Sequence, residues 1–330
     1  MECPSTVCDI AKYPRYCAYS PFGPDADCTL DVCCPEYSVY AYIPRLIPNV
    51  IFVTAFGAVL AAHIIAGLQM KQWWFLGCMV VGCLDEMLGY VGRIMMSQNP
   101  WDFKAFMIQV VCVTTAPVFF CAAIYVLLAK TTSTFGQSFL RFNPVFYWAF
   151  ILFDIVSLAL QAVGGALSSV TAGKNHSGVK LALAGLAIQV ITLVIFCGLY
   201  ADYLWRYLKS EQFRQRAIRR PSFGRRLKRF YAFESLAVVA ILVRCVFRLH
   251  ELKDGYTPAN QVLQKERLFI GLEGVPVILA AFFLYVGHPG LIFSGRNARR
   301  SPTSSLAKEH ELERRSTLEH REQATKETAK

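Results

Sequence analysis

Several ionisable residues fall inside stretches that are otherwise apolar, among them Asp85, Glu86, Arg93, Asp154, Glu234, Arg244, Arg248 and Glu273. Carboxylates and guanidinium groups in such surroundings can do two kinds of chemistry. They can pair with one another and fasten helices together, or they can offer charge to the headgroup of a ligand. On a helix, Glu86, Gly89, Tyr90 and Arg93 are spaced i, i+3, i+4 and i+7 and share one face. Arg244, Arg248 and Glu251 make a second stripe, and Asp154, Ser157, Gln161 and Gly164 a third, while His63, Gln109 and Gln189 add polar groups elsewhere. A charge at the centre of a bilayer costs about 2.5–3.5 kcal/mol on insertion scales, so these groups must face one another or water. In one reading, Glu86 and Glu273 simply partner Arg244 and Arg248. In the other, Glu86, Tyr90, Arg93, Asp154, Gln161, Gln189, Arg244, Arg248, Glu251 and Glu273 line a polar cavity that receives a substrate headgroup.

The elements that must carry these residues follow from composition. Of 330 residues, 55% are hydrophobic and 17% charged, a balance that fits lipid rather than water as the solvent. It excludes a disordered chain, an ordinary nucleic-acid binder and a secreted disulfide miniprotein. Seven runs are long enough to cross about 30 Å of hydrocarbon as helices: 46–68, 73–95, 106–129, 145–170, 180–205, 231–250 and 268–287. Each is continuous rather than alternating, which argues against barrel strands. The expected fold is all-α, a polytopic seven-transmembrane-helix bundle. Residues 1–45 form an extracellular Cys-rich head, 46–293 the membrane domain, and 294–330 a polar, disordered cytosolic tail. The start Met1-Glu2-Cys3-Pro4 lacks a basic region followed by an apolar core, so the first run reads as a retained helix rather than a leader.

Orientation follows from Lys and Arg. The head and the second, fourth and sixth loops carry nine; the other loops and the tail carry twenty-two. The N-terminus is therefore expected outside and the C-terminus in the cytosol. Ten of the twenty-two lie in 206–230, against Glu211 alone. Such a cluster is attracted to anionic cytoplasmic lipid at about 1 kcal/mol per basic residue, and it also suffices as a plain topology determinant. Neither nucleic acid nor nucleotide is needed to explain the net charge of +11.

Cys3, Cys8, Cys17, Cys28, Cys33 and Cys34 crowd the head. An even set in a short extracellular stretch reads as a disulfide framework, with the pairing open. With no C-x-x-C pair and no His among them, a metal is the weaker reading. The six cysteines in the runs read as small packing residues. Asn175-His176-Ser177 is a glycosylation sequon in the fourth loop. The chain has no phosphate-binding G-x-x-x-x-G-K-[ST], no Lys in the seventh run for a retinal Schiff base, and no H-E-x-x-H. The expectation is a protein that is not an enzyme, with no cofactor and no metal.

Several spaced motifs occur in order: Glu86-x-x-Gly89-Tyr90-x-x-Arg93, Ala116-Pro117-x-Phe119, Phe153-Asp154-x-x-Ser157-x-x-x-Gln161-x-x-Gly164-Gly165, Gly185-Leu186-x-x-Gln189, Arg244-x-x-Phe247-Arg248-x-x-Glu251, Glu273-x-x-Pro276 and His288-Pro289-Gly290. In these the chain resembles the fungal lipid-translocating exporter family, seven-span proteins named for resistance to aminocholesterol. The resemblance covers the second to seventh runs. It implies a plasma-membrane protein that exports or flips amphipathic lipids such as sphingoid long-chain bases, or protects against toxic sterol-like amines. Membrane lipid is then both environment and substrate. A seven-helix receptor or sensor that alters lipid asymmetry without transporting is the alternative. Against it stand the missing D-R-Y after the third run and the missing N-P-x-x-Y in the seventh.

Overall fold

The computed structural model describes residues 28–30, 33, 35, 38–135, 146–170, 176–219, 221–253 and 260–290. Among these there is no strand. The helices are α1 (Leu46–Met70), α2 (Trp73–Gln98), α3 (Phe103–Phe135), α4 (Phe146–Val170), α5 (His176–Lys209), α6 (Glu211–Arg219), α7 (Pro221–Leu252), α8 (Glu266–Leu268) and α9 (Val275–Val286), with a π-helical segment Phe269–Gly274 joining the last two. Seven helical stretches are long and apolar enough to cross a membrane, the seventh being Glu266–Val286.

The most extensive packing joins α2 to α3, α4 to α5, α1 to α2, and α7 to α9; α5 and α3 also touch α7. One face of each spanning helix therefore points inward while the other is left for lipid. Phe153 is 54% exposed and its neighbour Asp154 2%, which separates the two faces of α4. Ile47, Ile51, Ile65, Leu152, Ile155, Ile191 and Val239 are exposed in the same way. In water such a surface would aggregate; against acyl chains it costs nothing. Trp73, Trp74, Trp148 and Trp205 are exposed at the start of α2, the start of α4 and the end of α5, which lie at one end of the bundle. That placement suits an interfacial aromatic belt.

The basic stretch 206–230, expected as a loop, is largely helical. α5 runs on to Lys209, α6 occupies Glu211–Arg219 and α7 begins at Pro221. Hydropathy marks only the part of a helix in hydrocarbon. Arg and Lys propagate a helix well beyond it, here with an Asp202–Arg206 pair at 3.0 Å one turn apart. Pro221 sits at the first position of α7, where its missing N–H has no helical partner to lose.

Outside the spans, Cys28 and Cys33 form a disulfide that packs against Trp101 in the second loop. Cys3, Cys8, Cys17, Cys34, Asn175 and the tail 294–330 lie outside the described residues. Cys78, Cys83, Cys112, Cys121, Cys197 and Cys245 are unbridged.

Candidate functional site

Most polar residues of the spans are buried, and they meet in layers. At the end where α2 finishes and α7 stops, Arg93 is fully enclosed. Its Nη2 donates to Tyr42 Oη at 2.9 Å and lies 3.9 Å from Glu266, while the guanidinium sits over the Phe269 ring at 3.9 Å. Gln109 donates to Tyr40 Oη at 2.9 Å. Arg248 donates to Glu251 at 2.5 Å, whose carbonyl accepts from Asn260 at 2.7 Å. In this layer every carboxylate has an arginine. Burial pushes the Tyr42 phenol above its ordinary value, and the Arg93 guanidinium pulls it part of the way back.

A layer deeper, Arg244 Nη2 donates to Glu273 Oε1 at 2.7 Å and to the Val113 carbonyl at 2.6 Å. Glu86 is within electrostatic reach of both Arg244 and Glu273. It lies about 18 Å along α2 from Gln98, near the middle of a bilayer. Glu86 is 1% exposed, yet neither of its carboxylate oxygens accepts a hydrogen bond from the described residues, nor does Glu273 Oε2, and the Tyr90 hydroxyl is also unmatched. Two carboxyl groups thus face one guanidinium, and with both ionised the layer is one positive charge short. An unfilled acceptor of this kind is expensive to bury. Donors without acceptors, such as an ammonium, would fill it.

Local backbone chemistry builds this layer. Pro276 has no N–H to give the Leu272 carbonyl, which interrupts the α-helical ladder, and Val275 N–H reaches back to Ile270 instead. The wider turn carries Glu273 towards Arg244; such π segments concentrate at functional sites. Gly274 is needed there, because a Cβ would lie 2.5 Å from Tyr90 Oη and 2.6 Å from Phe52. Phe52 in turn stacks on Tyr90 with centroids 4.8 Å apart.

Of the two readings open from sequence, the one that pairs Glu86 and Glu273 with Arg244 and Arg248 meets the structure in part. Glu273 does take Arg244, but Arg248 takes Glu251, and Glu86 takes neither arginine. The reason is spacing: Arg248 and Glu251 are three residues apart on one helix and meet without crossing the bundle.

Asp154, Gln161 and Gln189 stand apart from this cluster. Ser157 donates to the Gly185 carbonyl at 2.6 Å, and Gln161 donates to Ser157 at 2.8 Å and to Gln189 at 3.1 Å. These bonds fasten α4 to α5. Asp154 faces α3 and α7, within electrostatic reach of Cys121, Tyr125 and Cys245. Asp85 is half-buried, and Glu234 accepts from Tyr200 at 3.1 Å. Sequence reasoning missed Tyr40 and Tyr42, which precede the first apolar run, and the Val113 carbonyl, which no side-chain pattern reveals. Among the described residues there is no cluster of His, Cys, Asp and Glu fit to hold a metal.

Fold and site together define a multi-pass integral membrane protein with an ionic cluster enclosed by its spans. The chain belongs to the family described as RTA1 like protein, whose profile matches residues 79–296. It is 34% identical to the sphingoid long-chain base transporter RSB1 of Saccharomyces cerevisiae over 286 residues, 77% of this chain and 74% of that one. It is 30% identical to Protein RTM1 of the same organism over 212 residues, 62% of this chain and 64% of that one. Identity to its Protoporphyrin uptake protein 1 is also 30%, over 215 residues that make up 62% and 66% of the two chains. No solved structure matches the chain.

Proposed function

We propose that this protein moves long-chain amine lipids across the membrane, holding the cationic headgroup at Glu86 and Glu273 while the alkyl chain stays in the bilayer. The observation that carries the reading is the charge imbalance of the middle layer: Glu86 and Glu273 against Arg244, with Glu86 Oε1, Glu86 Oε2 and Glu273 Oε2 lacking donors. A primary ammonium brings one charge and three N–H donors, and its tail loses no hydrophobic contact by remaining in lipid. Arg244 fixes Glu273 in place, Tyr90 offers a hydroxyl to a neighbouring headgroup oxygen, and the outer layer of Arg93, Tyr42, Arg248 and Glu251 separates the site from water.

Similarity to a protein named as a sphingoid long-chain base transporter supports the substrate class over the porphyrin of the other relative, because it covers more of both chains. Relatives named as transporters support a role without catalysis. A plasma-membrane location, an N-terminus outside, resistance to toxic amphiphiles and contact of 206–230 with anionic lipid complete the proposal. The test is reconstitution of the purified protein in liposomes carrying a fluorescent long-chain base. Movement between leaflets should exceed that of protein-free vesicles, and the N-acylated, uncharged analogue should move no faster than in those vesicles. Equal movement of the two lipids would overturn the headgroup assignment.

A further inference from the structure

Asp154 carries a charge-bearing group that the middle layer does not use. It is 2% exposed, and neither carboxylate oxygen accepts a hydrogen bond from the described residues. No arginine or lysine is paired with it among the described ion pairs. The Tyr125 hydroxyl is buried beside the carboxylate. A buried carboxylate with one neighbouring hydroxyl and no paired cation forms a vacancy like that at Glu86, built from α3 and α4 instead of α2.

Two thiols lie between the vacancies. Cys245 follows Arg244 in α7 and is within electrostatic reach of Arg244, Glu273 and Asp154 alike; Cys121 of α3 lies near both Asp154 and Cys245. Gly82 and Gly89 of α2 meet Phe120 and Val113 of α3, so Glu86 lies level with about Pro117, whereas Asp154 lies beside Cys121 and Tyr125, about 6–12 Å further along α3. Next to Asp154, α4 turns Leu152, Phe153, Ile155 and Val156 to lipid, where an alkyl chain can lie while its headgroup is inside.

We propose that Asp154 and Tyr125 form a second ammonium-binding station, to which the headgroup passes from Glu86 and Glu273 past the thiols of Cys121 and Cys245. The proposal rests on the reading of the middle layer as an ammonium site. One carboxylate would bind a cation and keep it; two unfilled carboxylates at successive depths let it leave the first by entering the second.

The experiment uses the full-length protein in liposomes, with a fluorescent long-chain base for flux and a photoactivatable long-chain base for occupancy of the middle layer. Asp154→Asn should lower flux at least tenfold while photolabelling near Glu86 persists, and Asp154→Glu should retain most of the flux. Flux of Asp154→Asn at the wild-type rate would overturn the proposal, as would loss of photolabelling together with flux, which marks a structural role. If Asp154→Asn is not recovered as folded protein, Tyr125→Phe decides: a severalfold loss of flux with labelling kept supports the station, and an unchanged rate overturns it. Glu86→Gln runs alongside. An inactive Glu86→Gln beside an active Asp154→Asn removes the second station alone, whereas full activity in both removes the middle-layer site as well.

Discussion

Arg244 of α7 occupies the backbone carbonyl that Pro117 of α3 leaves without a partner. A residue at 117 would normally donate its N–H to Val113, four residues back; proline has none. The Val113 carbonyl instead accepts from Arg244 Nη2 at 2.6 Å, and the same guanidinium nitrogen holds Glu273 at 2.7 Å. Pro117 therefore leaves free an acceptor that aims the one cation of the middle layer. Pro117→Ala would return an N–H to Val113 and make it compete with Arg244. Flux is expected to fall severalfold, with no loss of thermal stability, because proline inside a helix is itself unfavourable. Flux measurements beside thermal melts in detergent separate these effects.

Breaking the Arg244–Glu273 pair from one side strands a buried charge. Arg244→Gln is expected to cost about 3–5 kcal/mol, and the double variant Arg244→Gln with Glu273→Gln to recover much of it, since two buried neutral amides can bond each other. Thermal unfolding of the two single variants and the double variant gives the coupling. Transport should be lost in all three.

The π segment tolerates no side chain at Gly274. An added methyl meets Tyr90 Oη and Phe52 and must push the segment outward, at about 1–3 kcal/mol for overpacking. Gly274→Ala should thus lower the melting temperature and weaken binding of the long-chain base. Gly165, whose added Cβ would meet nothing, serves as the control: Gly165→Ala should leave both unchanged or raise stability slightly.

At the opposite end of the bundle, His63 bonds to the Ala281 carbonyl at 3.1 Å and its ring lies 6.5 Å from that of His288. Burial, with His63 adding to it, lowers His288 from its ordinary 6.5 to about 4. A base whose folded value is depressed is protonated first in the unfolded chain. Stability should therefore be constant above about pH 6.5 and decline as pH falls towards about 4, by up to roughly 3 kcal/mol. His288→Asn, which can still accept from Gly290 N–H, should flatten that part of the pH–stability curve.

Much of this was legible in the sequence because lipid imposes simple rules. Seven continuous apolar runs gave seven spans, and the spacing of Glu86, Tyr90 and Arg93 placed all three on an inward face, since a charge in a span has nowhere else to go. What was not legible depends on backbone detail. The swap of Arg248 to Glu251 turns on one helical turn, the approach of Glu273 on a π segment, and the second bond of Arg244 on an orphaned carbonyl. Tyr42 lies before the first span, and only the folded chain brings it to Arg93. The helices of 206–219 ran past their apolar cores because hydropathy reads solvent and not backbone conformation.

The central claim is that Glu86 receives an ammonium. Transport of a fluorescent long-chain base by purified Glu86→Gln protein in liposomes tests it most directly, with folding checked by the melting temperature. Removing the charge while keeping the shape should reduce flux at least tenfold in folded protein; flux equal to that of the unsubstituted protein would contradict the account.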